Sequence, residues 1–99
     1  MRAIIWSSRA SRDLFEQLEY ISIDSPVNAG PVRDRVKSTV ARLSEFQTGR
    51  AGRVAGTYEI VIPKTSLILA YDLPKSGAVR ILRLIHGARN WLPGKWPKD

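Results

Sequence analysis

The side chains best suited to chemistry lie in the second half of the chain. His86 is the single histidine, and its ordinary pKa near neutrality lets it give or take a proton. Arg80, Arg83 and Arg89 are its neighbours in sequence, with Arg50, Arg53 and Lys64 farther back, so cations for an anionic ligand are plentiful. Glu59 supplies a carboxylate that can serve as a general base. Weighed together, these residues favour contact over catalysis. A lone histidine at the end of an apolar run reads first as a hydrogen-bonded structural residue, and one carboxylate is weak grounds for a base. Arg83, set in an apolar run, is expected to pair with a carboxylate, for which Glu59 on a neighbouring strand is the choice. The chain has no cysteine, which excludes disulfides and thiolate metal sites, and one histidine excludes a His-rich site. No metal or organic cofactor is expected.

These groups need a rigid support, and the stretch Ala78–Trp91, AVRILRLIHGARNW, provides it. Val79, Ile81, Leu82, Leu84 and Ile85 make a strand apolar on both faces, hence interior to a sheet. It ends in His86, Gly87, Ala88 and Arg89, where polar side chains follow a buried run. Strict alternation would put Arg80 and Arg83 on opposite faces, Arg83 with Val79, Ile81 and Ile85, Arg80 with Leu82, Leu84 and His86.

The remaining elements follow in order. Arg2–Trp6 is a short apolar strand, with Ser7, Ser8 and Ser11 as possible helix caps after it. Ala10, Leu14, Leu18 and Ile21 recur at helical spacing, and Phe15 widens the stripe. Arg12, Asp13, Glu16, Gln17 and Glu19 take the other side. Asp24-Ser25-Pro26 breaks this helix near Ile23, and Ser25-Pro26 starts a second, running to about Phe46. Pro31 within its second turn predicts a loose first turn or a later start near Gly30. Val32, Val36, Val40 and Leu43 form a second stripe, so the two helices should pair as an antiparallel hairpin. The glycine-rich segment 47–56 (QTGRAGRVAG) reads as a basic loop. Strands at Thr57–Ile62 and Leu67–Asp72 and the final strand are separated by Pro63-Lys64-Thr65 and Pro74-Lys75-Ser76-Gly77, a meander. The expected fold is α+β, in the order β-α-α-β-β-β. The helical hairpin covers a twisted, mainly antiparallel four-stranded sheet, all in a single domain over residues 1–99 with an extended tail from about residue 92.

The net charge is +7, unevenly placed: residues 1–49 carry +1 and residues 50–99 carry +6. That field suits polyanions or acidic proteins. No run approaches a membrane span and no secretory signal is read, so a cytoplasmic location is expected.

In the order and spacing of the first strand and helical hairpin, GRAGRVAGTYEIVI, LILAY and RILRLIHGARNW, the sequence resembles the RelE/ParE superfamily of bacterial toxins from type II toxin–antitoxin systems. The resemblance covers nearly the whole chain. It implies a small basic toxin that inhibits growth, in some cases stabilises plasmids, and is held inactive in a hetero-oligomeric complex with a cognate antitoxin. RelE-like members cut mRNA on the ribosome; ParE-like members inhibit DNA gyrase by binding. The RelE-like branch carries an arginine on the third strand and a tyrosine near the C-terminus. Here Ile68 begins the matching run Ile68-Leu69-Ala70-Tyr71, and no tyrosine follows Tyr71. The sequence therefore resembles ParE-like members more closely.

Three functional readings stem from this. The first is a gyrase-binding toxin whose contact surface includes Arg83, His86, Arg89, Trp91 and Trp96. The second, of a different class, is a ribosome-dependent mRNA endonuclease using Arg50, Arg53, Arg80, His86 and Arg89. The third is a degenerate member that only binds its antitoxin. In each, an acidic antitoxin segment against the sheet and hairpin would suit the positive field. The sequence does not assign the antitoxin-binding residues.

Overall fold

The computed structural model describes residues 2–87. The chain begins with strand β1 (Ile4–Trp6) and passes at once into helix α1 (Ser8–Asp24). Ser7 makes that transition: its Oγ accepts the Ala10 N–H at 2.9 Å, capping the helix, while its own N–H donates to the Ile81 carbonyl. Ser25 closes α1 with an N–H to the Ile21 carbonyl and opens α2 (Pro26–Glu45), where Pro26 takes the first helical position and lacks only a hydrogen-bond donor no helix would use.

Pro31 does not delay α2. The helix is continuous from Pro26, with Pro31 on its exposed side. The missing N–H falls where the Val27 carbonyl would accept, and Val27 is itself open to water. Gly30 beside it has empty space around its Cβ position beyond its own stretch of helix. From Val32 onward the expected stripe is buried: Val32, Val36, Val40 and Leu43 join Ala10 in the core.

The sheet has five strands, ordered β1-β5-β4-β3-β2, with β2 (Arg50–Ala51), β3 (Tyr58–Val61), β4 (Leu67–Asp72) and β5 (Val79–His86). This corrects the four-stranded expectation in two ways. Arg50 and Ala51 leave the predicted loop to pair with Glu59 and Tyr58 as a fifth, edge strand. The sheet is also mixed, because β1 runs parallel to β5, with Ile4 opposite Val79 and Trp6 opposite Ile81. The three-strand meander β3-β4-β5 is antiparallel throughout.

A bulge revises the reading of the final strand. Tyr71 lies opposite Ile81 and Ala70 opposite Arg83, so Leu82 is an extra residue and the alternation resets there. Val79, Ile81, Leu84 and His86 consequently share the face that packs on the helices, where Leu67, Leu69 and Tyr71 complete the core. By register Arg80 and Arg83 lie opposite Asp72 and Ala70, two residues apart on β4, instead of alternating, but Arg80 stays exposed while the Arg83 side chain is buried against α1.

Candidate functional site

The edge of β5 beyond β1 is where helix and sheet meet polar chemistry. β1 pairs with β5 only as far as Ile81, which would leave buried backbone groups on that edge open. α1 supplies the partners. Ser7 Oγ donates to the Leu82 carbonyl at 3.0 Å, and Asp13 Oδ2 accepts the Leu84 N–H at 3.0 Å. The same carboxylate takes two hydrogen bonds from Arg83, at 2.6 Å to Nε and 3.1 Å to Nη2. Both side chains are buried. Helical spacing assigned Asp13 to the polar side of α1 and Glu59 to Arg83; the structure exchanges those roles. Asp13 sits at the border of the apolar stripe, and its partner comes from the sheet edge.

Glu59 instead binds Arg53, which approaches with its backbone N–H and with both Nε and Nη2, at 2.9, 2.9 and 3.1 Å. Burial alone would push the Glu59 carboxyl up. The Arg53 hydrogen bonds, with the positive charges of Arg53 and Arg50, outweigh that and hold it below the ordinary carboxylate range. Next to this latch, the Tyr71 hydroxyl accepts the Gly49 N–H at 2.8 Å, and its ring stacks on Tyr58. Burial raises the Tyr71 pKa, partly offset by the Gly49 hydrogen bond and helped by Tyr58, so this hydroxyl keeps its proton at neutrality. A Cβ on Gly49 would overlap the Tyr71 ring, which explains the glycine. The basic segment after α2 is thus fastened at Gly49 and again at Arg53.

Of the residues that a nuclease reading would combine, the structure gathers Arg50, Arg53 and Arg80 around Glu59 and Asp72 on neighbouring strands and sets His86 apart. Arg80 makes a two-pronged pair with Asp72, and Arg53 one with Glu59. His86 lies opposite Leu67 while Arg80 lies opposite Asp72, five residues along β4, so their backbones are about 17 Å apart at the usual strand rise. Arg50 lies opposite Glu59, which lies opposite Ala70 and then Arg83, three strands across from β5. Strand spacing and rise place it roughly 17 Å from His86 as well. Arg83, expected on a contact surface, is 3% exposed and held by Asp13. Arg89, Trp91 and Trp96 lie outside the described residues.

His86 does line a groove of about 880 Å³ between the first half of the hairpin and the end of β5. One wall carries Arg9, Glu16, Tyr20, Asp24 and Arg35; the opposite wall is the turn at Lys64–Leu67. Sequence reasoning missed the hairpin side of this groove. The available signal was Tyr20, a large apolar residue off the core stripe.

Over residues 4–91 the sequence matches the family described as ParE toxin of type II toxin–antitoxin system, parDE. The chain belongs to this ParE toxin family. A relative from Sinorhizobium fredii, named "Putative toxin Y4kP", is 34% identical over 91 residues, covering 91% of this chain and 93% of the relative. The fold is similar to a chain of the structure titled "Chromosomal ParDE TA system from P. aeruginosa", with a TM-score of 0.78 over 87% of this chain and 96% of that one, at 19% identity. As a ParE-family toxin, the molecule is the toxin component of a type II system, and no helix among the described residues is long and apolar enough to cross a membrane.

Proposed function

We infer that this ParE-family chain acts by binding and that its target is DNA gyrase, in the cytoplasm, with a cognate antitoxin holding it inactive in a hetero-oligomeric complex. The observation that carries the binding reading is the pairing of its arginines. Arg53, Arg80 and Arg83 are each held by a carboxylate through two hydrogen bonds or more. A phosphodiester cleavage site needs its cations and its acid or base within reach of one phosphate. Here the carboxylates of Glu59 and Asp72 take up Arg53 and Arg80 on neighbouring strands, and His86 is a long step from Arg50 and Arg80. The Arg53 and Arg80 pairs, which reach the surface, stiffen and orient it, which serves recognition. His86, on the rim of the groove, and Arg89, Trp91 and Trp96 after it are proposed as target contacts. The antitoxin is proposed to meet the sheet's cations with an acidic segment.

Two parallel assays of the antitoxin-free protein test the reading: gyrase supercoiling of plasmid DNA, and cleavage of a message on programmed ribosomes. Loss of supercoiling with intact message is expected. Cut message with normal supercoiling would overturn the gyrase proposal and return His86 and the arginines to catalytic roles. Normal growth on expression without antitoxin, with neither assay affected, would leave a chain that only binds its antitoxin.

A further inference from the structure

The far end of the helical hairpin differs in charge from everything else in the molecule. Between residues 13 and 32 the sequence has Asp13, Glu16, Glu19 and Asp24 and no lysine or arginine, in a chain of net charge +7. Asp13 is taken up by Arg83, whereas Glu16, Glu19 and Asp24 are exposed. Helical spacing arranges these acids with large apolar residues: Phe15, Glu19 and Ile23 form one ridge of α1, and Glu16, Tyr20 and Asp24 the ridge beside it. The first ridge lies away from the stripe of Ala10, Leu14, Leu18 and Ile21 that meets the core, and the second borders the groove beside His86, where Arg9 and Arg35 also line the wall. Phe15 is 66% exposed, Tyr20 71%, Ile23 80% and, across the joint in α2, Val27 80%.

Neither the helix nor the core accounts for this surface. The C-terminal end of α1 carries the negative end of the helix dipole, which Asp24 opposes, and no basic residue occupies the last turn. Four large apolar side chains exposed along the outer hairpin of a small protein mark a surface that another molecule covers.

We propose that this face, the outer side of the second half of α1 together with Val27, is the docking surface for an amphipathic, lysine- or arginine-bearing helix of a partner protein. The partner's apolar stripe covers Phe15, Tyr20, Ile23 and Val27, and its cations meet Glu16, Glu19 and Asp24. Charge complementarity selects this occupant. An acidic segment is repelled here and drawn to the cations of the strands. A second copy in a two-fold contact would set the same acids against each other.

The test uses two synthetic helical peptides with the same leucine stripe, one flanked by lysine and one by glutamate, titrated against the full chain by fluorescence anisotropy. The net charge of +7 alone favours the glutamate peptide. The proposal requires the reverse, with the lysine peptide tighter by about tenfold or more. The E16K/E19K double variant should lose that preference, and Ile23→Ser should weaken the lysine peptide by about tenfold. All three positions are exposed, so circular dichroism should report an unchanged fold. Tighter binding of the glutamate peptide, or wild-type binding of the lysine peptide by both variants, overturns the proposal. So does a concentration-dependent dimer in sedimentation that Ile23→Ser abolishes, since it would assign the face to a second copy. None of these outcomes bears on supercoiling or message cleavage, so the toxin reading stands or falls separately.

Discussion

The two ends of the hairpin obey different rules. At its base, where α1 leaves Ser7 and α2 ends near Leu43, polar groups are matched to one another and apolar groups are sealed. Asp13 serves an arginine and a strand edge at once, and Val36 and Leu43 are fully buried. At its tip, Glu19 and Asp24 stand in a stretch without lysine or arginine from residue 13 to 32, and aromatic and aliphatic side chains face water. Stability is concentrated at the base, and the tip contributes little to it. The contrast teaches that composition averaged over the chain conceals the relevant chemistry: a protein of charge +7 presents an acidic, apolar end.

Three substitutions probe that contrast, in descending order of effect. Asp13→Ala strands the buried Arg83 charge and the Leu84 N–H, and should lower stability by about 3–5 kcal/mol in urea unfolding. An effect below about 1 kcal/mol would mean the base is not sealed as described. Glu59→Gln removes the charge that Arg53 grips and should lower stability at neutrality by about 1–3 kcal/mol. Because the Glu59 pKa is lowered in the fold, its contribution is full above the ordinary value of 4.5 and vanishes as pH falls through the lowered value. The gap between wild type and variant should therefore close in acid, measured by unfolding at both pH values. Gly30→Ala lies near the tip end of α2, where a Cβ meets nothing within 4 Å beyond its own stretch of helix. A gain of about 0.8–1 kcal/mol in helix propensity is opposed by the clash of the new Cβ with the ring of Pro31, so the melting temperature should change little. A large loss there would show that the tip is under tighter constraint than its exposure implies.

Much of the fold was legible. Apolar periods of three to four located both helices, and proline and glycine turns separated β3, β4 and β5 within a residue or two of their observed limits. What escaped has physical reasons. β2 spans two residues, too few to show any alternation. The parallel pairing of β1 with β5 leaves no mark on either segment, since pairing direction is decided by the layers between them. The bulge at Leu82 turned a parity argument about Arg80 and Arg83 upside down, because one inserted residue reverses every face beyond it. Asp13 was misassigned for a related reason: a short side chain at the margin of a helical stripe belongs to whichever neighbour has an unmet donor, and that neighbour lies 70 residues away. For the site, the cations were recognisable as residues, but their carboxylate partners were not, and so neither was the difference between available and occupied charge.

The parallel seam between the first strand and the last also sets a schedule. The hairpin of α1 and α2 is a local unit, and β3 and β4 meet through a tight turn. Yet β1 and the start of α1 have their partners at Val79–Leu84, some 75 residues later. A chain emerging from the ribosome can build its helices early but cannot close its sheet until Val79–Leu84 has been made, and distant closure of this kind is slow. Until that moment Asp13 has no arginine, the apolar stripe of α1 has no floor, and the nascent chain has no completed surface on which to act as a toxin.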